Sequence, residues 1–228
     1  MNETHPISIA IDGPSGAGKS TLARRLATTL RFLYVDTGAI YRTIAYYAYA
    51  NHLDPADEAA VLAALPDIRI ELRHDAEGLQ RMILNGEDVT DAIRLPQISQ
   101  YASVVSAYPG VRAFLLEMQR DFARKGSVIM DGRDIGTVVL PQADVKVFLT
   151  ASPEARARRR CLELEQRGTS EPFDQVLSEI QQRDWDDSHR ETAPLRRAED
   201  AVVVDTTELN FEESLAALLT VVRGKAAL

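Results

Sequence analysis

The sequence predicts an α/β fold in which a doubly wound, five-stranded parallel sheet carries helices on both faces. Three observations lead to this prediction. Five short apolar runs alternate with segments in which apolar residues recur at helical spacing. The runs are nearly continuously apolar, which is typical of parallel strands buried on both faces. A glycine-rich loop follows the first run and leads into a helix, as expected where strands and helices alternate.

The first elements follow from local patterns near the start of the chain. A strand is predicted at residues 7–11, and it ends at Asp12 and the glycine-rich loop. The next helix begins near Ser20, with leucine and alanine at helical spacing. Residues 33–35 read as a second strand, and a turn then leads into a helix through Tyr41 to Ala50.

The pattern changes after the next helix. That helix is predicted at residues 55–65, with Asp54 as its N-cap and Pro55 at its first position. Residues 68–72 then alternate between apolar and charged, and residues 79–84 form a second extended segment that ends at a tight Asn-Gly turn. Residues 66–95 are therefore predicted to be a small antiparallel sheet inserted into the main domain.

The second half of the chain returns to alternating strands and helices. Strands are predicted at residues 127–130, 145–149 and 201–204. Helices are predicted at residues 96–107, 111–124, 153–167 and 173–185. The closing helix begins at Asn210, with Glu213 as a reciprocal capping partner. The predicted core therefore comprises residues 1–65 and 96–228.

Composition and charge exclude several classes of protein. With 228 residues, 45% hydrophobic and 26% charged, the chain is long enough for one large domain with an insert. Its net charge of −8 argues against binding to nucleic acid or to anionic membranes in general. The single cysteine, Cys161, excludes an intramolecular disulfide and a multi-cysteine zinc site. Because neither a secretory signal nor an apolar run of membrane-span length is visible, we expect a cytoplasmic protein.

The glycine-rich loop carries the strongest chemical signal. Its residues match the pattern Gly-x-x-x-x-Gly-Lys-Ser/Thr between a strand and a helix, the context that a phosphate-binding loop requires. The predicted ATP-binding segment comprises Gly13, Pro14, Ser15, Gly16, Ala17, Gly18, Lys19, Ser20 and Thr21. Glycines let backbone N–H groups converge on phosphate oxygens, and the helix start adds further donors. Lys19 is expected to reach the β- and γ-phosphates, and the Ser20 hydroxyl to ligate Mg²⁺ supplied with ATP.

A phosphate-binding loop alone leaves GTPases, motor ATPases and small-molecule kinases open. The chain lacks the Asn-Lys-x-Asp string that a GTPase uses for guanine, and it is short for a ring ATPase. These observations favour a small phosphate-loop kinase. Because phosphoryl transfer must exclude water, we expect a helical lid at about residues 153–172, where arginines are concentrated.

Three blocks, in order, give the chain a closer resemblance. They are Gly13–Thr21, the string Asp-Thr-Gly-Ala-Ile-Tyr-Arg at residues 36–42, and Asp-Gly-Arg-Asp-Ile-Gly-Thr-Val-Val at residues 131–139. Together with the sheet insert, they resemble bacterial cytidylate kinases from about residue 7 to residue 222. The resemblance implies phosphorylation of CMP and dCMP by ATP, with the insert at 66–95 as a monophosphate-binding lobe.

The same resemblance implies a set of substrate-binding residues. The matching positions are Thr37, Arg42, Ser103, Arg112, Arg133, Asp134, Arg183, Asp187 and Arg190. Thr37 and Arg42 would contact the sugar edge and acceptor phosphate, and Ser103 and Arg112 the pyrimidine. Arg133 would clamp phosphate, and Asp134 would accept the cytosine amino group. Residues 183, 187 and 190 would hold the ribose hydroxyls and part of the base and phosphate. Their spacings of four and three predict that they lie on one helical face, so that they can converge on one ligand.

Several assignments stay open at this point. Lys19 and Arg133 are the predicted catalytic residues, together with Arg159 among the lid arginines. Either Asp131 or Asp36 is a further candidate to hold Mg²⁺. A kinase for another small acceptor, such as UMP or shikimate, is an alternative, and so is a nucleotide-binding regulator. We expect a monomer with ATP and CMP or dCMP as its ligands.

Overall fold

The strands form two separate sheets. They are β1 (Ser8–Asp12), β2 (Leu33–Asp36), β3 (Ile70–His74), β4 (Gln80–Leu84), β5 (Glu87–Asp88), β6 (Val128–Gly132), β7 (Val145–Thr150) and β8 (Val202–Asp205). The helices are α1 (Lys19–Leu30), α2 (Thr37–Ala50), α3 (Glu58–Ala64), α4 (Pro96–Val105), α5 (Pro109–Lys125), α6 (Pro153–Gln166), α7 (Phe173–His189) and α8 (Phe211–Ala226). This computed structural model describes residues 5–166 and 168–226.

The described residues fall into two compact units. Unit 1 combines the residues up to Tyr34 with those from Lys125 onward, and unit 2 is Val35–Arg124. The predicted lobe boundaries, residues 66–95, enclose β3, β4 and β5 but are narrower than unit 2. Those boundaries and the lid at 153–172 stay predictions.

The main sheet has the strand order β2-β6-β1-β7-β8, which confirms the predicted five-stranded sheet. Strand β1 pairs in parallel with β6 and with β7, and β7 pairs in parallel with β8. Asp12, the last residue of β1, lies in register with Gly132, the last residue of β6. The loops that follow β1 and β6 therefore leave the same edge of the sheet side by side.

The core of unit 1 lies between this sheet and two helices. Ile9 and Ile11 of β1 pack with Leu26 of α1 and with Leu218 and Val222 of α8. Because side chains alternate along a strand, Asp12 points to the opposite face from Ile9 and Ile11. A carboxylate therefore ends a buried strand without entering the main apolar cluster.

Unit 2 contains the small sheet, with the strand order β3-β4-β5. Both pairings are antiparallel, and Ile70 lies opposite Leu84. Asn85 and Gly86 both have positive φ, 52° and 93°, as the predicted tight turn requires. The antiparallel insert is thus confirmed.

Three local features depart from the predictions or were not predicted at all. Helix α3 begins at Glu58 rather than Pro55, because Asp57 is the residue that caps it, accepting from the Ala60 N–H at 3.0 Å. The Asp54 carboxylate instead bonds the N–H of Ala56 at 2.9 Å and stabilises a turn. Residues 135–139 form one π-helical turn that no pattern indicated.

The third departure concerns Arg190, which follows the last residue of α7 and is extended rather than helical. It therefore does not share a helix face with Arg183 and Asp187, although it still approaches Asp187.

Among the described residues, no helix has the length and apolar character needed to cross a membrane.

Candidate active site

The loop after β1 requires glycine at its first residue. Gly13 has φ 151°, and a Cβ built there would lie 1.9 Å from the Leu149 carbonyl oxygen. A side chain would therefore push the loop away from β7. Helix α1 begins at Lys19, so its unpaired first N–H groups lie at the end of this loop, where they suit an anion.

Lys19 is buried at the start of α1. Its ammonium donates to the Pro14 carbonyl oxygen at 2.7 Å. Burial and, after it, the positive charge of Arg133 lower the pKa of Lys19 to about 7. A phosphate group beside Lys19 would favour its charged form, as the predicted role in ATP binding requires.

Ser20, Asp131 and Tyr34 form a hydrogen-bonded group beside the loop. The Ser20 hydroxyl donates to Asp131 Oδ2 at 2.8 Å, and the Tyr34 hydroxyl donates to Asp131 Oδ1 at 2.7 Å. Hydroxyl and carboxylate oxygens are the hard ligands that Mg²⁺ prefers. Within residues 5–166 and 168–226 there is no cluster of three or more His, Cys, Asp or Glu suited to a metal. The donor set therefore fits an ion that takes most of its ligands from phosphates and water.

A cluster of alternating charge lies at the end of β6 and of α7. This arginine–aspartate cluster comprises Arg133, Asp134, Asp187 and Arg190. Arg133 Nε donates to Asp187 Oδ2 at 2.7 Å. Arg190 Nη2 lies 3.6 Å from Asp134 Oδ1, and its Nη1 lies 3.9 Å from Asp187 Oδ1. Four of the predicted substrate residues are thus brought together by contacts between residues distant in sequence.

The positive charges around Asp187 set the pKa of its carboxyl group. Burial alone would raise the pKa of its carboxyl, but Arg133, with Arg183 and Arg190, overcomes that effect and holds the pKa below its usual value. Arg183 lies one helical turn before Asp187 on α7. Asp187 is therefore ionised at neutral pH and can accept hydrogen bonds from hydroxyl groups.

Asp12 connects the loop after β1 to the loop after β6. Its Oδ1 accepts from the Ile135 N–H at 2.8 Å, and its Oδ2 accepts from the Gly136 N–H at 2.7 Å. Burial raises the pKa of Asp12 to about 6, even though both backbone hydrogen bonds favour the ionised form. No sequence signal singled out Asp12 beyond its position at a strand end.

The arginines of α6 bind different parts of the molecule. Arg156 is buried, and its guanidinium donates to the Ser15 carbonyl oxygen at 3.0 Å and the Ala151 carbonyl oxygen at 2.9 Å. It also forms a two-point pair with Asp184 of α7, at 2.9 and 2.5 Å. Arg156 thus anchors the phosphate-binding loop, a role that its placement among mobile lid residues did not predict.

Arg159 binds the turn after β8. It donates to Thr206 Oγ1 at 3.1 Å, to the Thr206 carbonyl oxygen and to the Leu209 carbonyl oxygen at 3.4 Å. Arg160 pairs with Glu163 at 3.2 Å in an exposed contact on the same helix. Arg167, at the end of the predicted lid helix, lies outside the described residues.

Unit 2 positions Thr37 and Arg42 at the start of α2. Asp36 caps this helix, accepting from the Ala39 N–H at 2.9 Å, and it also accepts from Arg42 Nη2 at 2.8 Å. Gly38 leaves room for this pair, because a Cβ there would lie 3.1 Å from Asp36 Oδ1. The Arg42 Nε is buried and has no hydrogen-bond partner among the described residues, which leaves a donor for a ligand. Thr37 itself is buried.

A second group in unit 2 holds Arg112 and Ser103. The Arg112 guanidinium lies over the Tyr41 ring at 5.4 Å and donates to the Ser106 carbonyl oxygen at 3.0 Å. Ser103 is half-buried on α4, and its carbonyl oxygen accepts from the Ser106 hydroxyl at 3.1 Å. Helices α4 and α5 therefore fix both residues through Ser106.

Comparison with known proteins decides the family. A family profile described as cytidylate kinase matches residues 9–224, nearly the whole chain. The chain belongs to the cytidylate kinase family. Cytidylate kinases of Carboxydothermus hydrogenoformans and Geobacillus kaustophilus are each 50% identical to it, over 95% and 96% of the chain and 97% of each relative. The cytidylate kinase of Lactiplantibacillus plantarum is 45% identical over 96% of both chains.

The fold of this cytidylate kinase family member also has a likeness among solved structures. An uncharacterized protein from Eubacterium ventriosum has a TM-score of 0.51 at 12% identity, with 98% of this chain and 99% of that chain covered. This likeness concerns the fold alone. The resemblance predicted from the three sequence blocks is thus confirmed at the level of the family, and the roles of individual residues stay predictions.

Proposed function

We propose that the enzyme transfers the γ-phosphoryl group of ATP to CMP and dCMP. One observation carries the proposal. The phosphate-binding loop with buried Lys19 follows β1, and Arg133 and Asp134 of the arginine–aspartate cluster follow the neighbouring strand β6; the last residues of the two strands, Asp12 and Gly132, lie in register. The proposed donor site and the proposed acceptor site would therefore start from one edge of one sheet, as direct transfer between two phosphates requires.

The acceptor needs no strong general base, because a CMP phosphate oxygen is already an anion. Catalysis by in-line transfer then depends on positioning and on neutralising charge. Lys19 would contact the transferred phosphoryl group from the loop, and Arg133 would hold the acceptor phosphate. Arg133 donates from Nε to Asp187 and from Nη1 to the Gly132 carbonyl oxygen at 3.3 Å, so Nη2 and the second N–H of Nη1 are the donors with which it would bind phosphate.

Ser20 and Asp131 would hold Mg²⁺ delivered with ATP, Ser20 directly and Asp131 through water. When bound, the ion neutralises charge on the phosphate oxygens during transfer. The Ser20 hydroxyl donates to Asp131 in this structure, so it would turn its lone pairs to the ion while keeping that bond. Asp131 is the better candidate because it contacts Ser20 at the phosphate-binding loop, whereas the Asp36 carboxylate caps α2 and pairs with the positive charge of Arg42.

Selection of cytosine would rest on Asp134. Cytosine carries an amino donor where uracil carries a carbonyl oxygen, so a buried carboxylate accepts a bond from one and repels the other. Leaving that carboxylate without its donor disfavours UMP by about 1–3 kcal/mol. By the resemblance, Arg183, Asp187 and Arg190 would hold the ribose and part of the base and phosphate. Thr37, Arg42, Ser103 and Arg112 would contribute the remaining contacts to CMP.

Arg159 would reach the transferred phosphoryl group when the lid closes. It would then exchange its contacts with Thr206 and Leu209 for phosphate oxygens. Arg156 is not a candidate for this role, because its guanidinium is committed to Ser15, Ala151 and Asp184. We also propose that the enzyme works as a monomer in the cytoplasm.

The test is an ADP-release assay with CMP as acceptor, comparing the wild type with Lys19→Ala. We expect the rate to fall by orders of magnitude while the circular dichroism spectrum is unchanged. Lys225→Ala, at the exposed end of α8, is the matched control and should keep full turnover. Near-normal turnover in Lys19→Ala would refute the role of Lys19. ATP hydrolysis without transfer to any monophosphate would favour a nucleotide-binding regulator.

A further inference from the structure

The π-helical turn at residues 135–139 is capped by a residue of strand β1. The first N–H groups of any helical turn lack partners within the turn. Here the N–H groups of Ile135 and Gly136 both donate to the carboxylate of Asp12. Asp134 occupies the N-cap position of this turn, yet its own side chain makes no capping hydrogen bond.

This arrangement leaves the Asp134 carboxylate to other contacts. In most helices an aspartate at the N-cap uses its side chain on the N–H groups that follow. Because Asp12 satisfies those groups, the Asp134 carboxylate can instead approach Arg190, at 3.6 Å. Arg133 immediately precedes Asp134, so it too lies next to the turn. Asp12 thus fixes the backbone from which two predicted substrate residues project.

The contact between Asp12 and the π-helical turn is tightly packed. A Cβ at Gly136 would lie 3.3 Å from Asp12 Oδ2 and 3.2 Å from Lys146 Cδ, so the turn is held between β1 and β7. The charged groups that act on Asp12 are Asp134, which raises its pKa, and Lys19, which lowers it. Asp12 in turn contributes to the raised pKa of Arg133.

We infer that Asp12 is a positioning residue for the acceptor nucleotide: its carboxylate caps the turn at Ile135 and Gly136 and so sets Arg133 and Asp134 in place for CMP. The inference rests on the proposed function, because it takes CMP as the ligand of that turn. Asp12 also immediately precedes Gly13. The residue that supports the proposed CMP site is therefore the last one before the phosphate-binding loop.

The first experiment measures binding by titration calorimetry for the wild type and for Asp12→Asn. The asparagine has the same shape but only one oxygen acceptor, so its amide nitrogen would face a backbone N–H donor. We expect the dissociation constant for CMP to rise at least about tenfold, while that for a non-hydrolysable ATP analogue changes by less than about threefold. Asp144→Asn is the matched control, because Asp144 is an exposed aspartate that bonds the Ser8 N–H at the other end of β1.

Three results would overturn the inference: unchanged CMP binding in Asp12→Asn, equal weakening for CMP and the ATP analogue, or the same loss in Asp144→Asn. A wild type that binds no CMP would instead overturn the proposed function, so the two failures are distinguishable.

A second measurement needs no variant and decides the matter if Asp12→Asn does not fold. In the wild type, the amide proton shifts of Ile135 and Gly136 should titrate together with a midpoint at pH about 6, as Asp12 ionises. Affinity for cytidine, a probe without a phosphate to titrate, should fall below the same midpoint, since the protonated carboxyl no longer accepts both N–H groups. Amide shifts that do not titrate, or cytidine affinity that ignores their midpoint, would contradict the inference.

Discussion

Arg156 offers the sharpest test of how the phosphate-binding loop is held. Its side chain is 3% exposed and donates to two backbone carbonyl oxygens and to both oxygens of Asp184. Replacing it by Met keeps most of the volume but removes every donor. The Ser15 carbonyl oxygen in the loop then loses its partner, and a partly buried carboxylate at Asp184 loses its counter-charge.

The expected loss in the free energy of unfolding follows from the burial of this ion pair. Removing one partner of a buried ion pair costs about 3–5 kcal/mol. Because the Asp184 side chain is 26% exposed and can recover some hydration, the lower end applies. We therefore expect Arg156→Met to lower the free energy of unfolding by about 3 kcal/mol. For a chain of this size, that corresponds to a fall in Tm of about 6–12 °C.

The assay combines urea unfolding with steady-state kinetics. Arg156→Met should also raise the KM for ATP, because the loop that contains Ser15 loses its anchor. Arg160→Met, one turn along α6, is the control, since its pair with Glu163 is exposed on both sides and contributes at most about 1 kcal/mol. The reasoning is refuted if the two variants are equally stable. A fall in kcat with unchanged stability would instead identify Arg156 as a lid residue.

Three further predictions concern single side chains. Gly13→Ala should abolish binding of an ATP analogue, measured by titration, because the added Cβ would meet the Leu149 carbonyl oxygen at 1.9 Å; normal affinity would contradict the loop geometry. Tyr34→Phe should lower the free energy of unfolding by about 1–2 kcal/mol, measured in urea, because a buried carboxylate at Asp131 loses one donor; no change would show that water replaces it. In the folded state the pKa of Asp12 is raised to about 6, so the folded state binds this proton more tightly than the unfolded state does. The contribution of Asp12 to the free energy of unfolding therefore falls as the pH rises from about 4 to 6. The stability of Asp12→Asn relative to the wild type should therefore increase by about 2 kcal/mol between pH of about 4.5 and 7, and a pH-independent difference would contradict the raised pKa.

Local patterns were enough to predict most of the fold. The strands of the main sheet, the Asn85-Gly86 turn and the reciprocal capping of Asn210 and Glu213 depend on residues close together in sequence, and all are present. The start of α3 was misplaced because Asp54 and Asp57 are both good caps. Which of them caps the helix depends on whether the intervening turn closes, and composition does not decide that.

The sequence proposes site residues where they belong to a motif, but it does not indicate contacts between residues that lie far apart in the chain. The phosphate-binding loop combines residue types and context within a few positions, so Lys19 and Ser20 could be singled out. Arg156 contacts Ser15, 141 residues away, and Asp12 contacts Ile135, 123 residues away. One arginine among several on a helix, or one aspartate at a strand end, gives no indication of such a partner. Only the folded sheet brings them together.

The most direct test of the central claim is the ratio of kcat/KM for CMP over UMP, measured by ADP release under identical conditions. The proposed contact between Asp134 and the cytosine amino group predicts a ratio of roughly 5 to 150 in favour of CMP, from about 1–3 kcal/mol of discrimination. It also predicts that Asp134→Asn, whose amide can donate to a uracil carbonyl oxygen, brings the ratio towards one. Equal turnover of CMP and UMP by the wild type would contradict the assignment of cytosine recognition to Asp134.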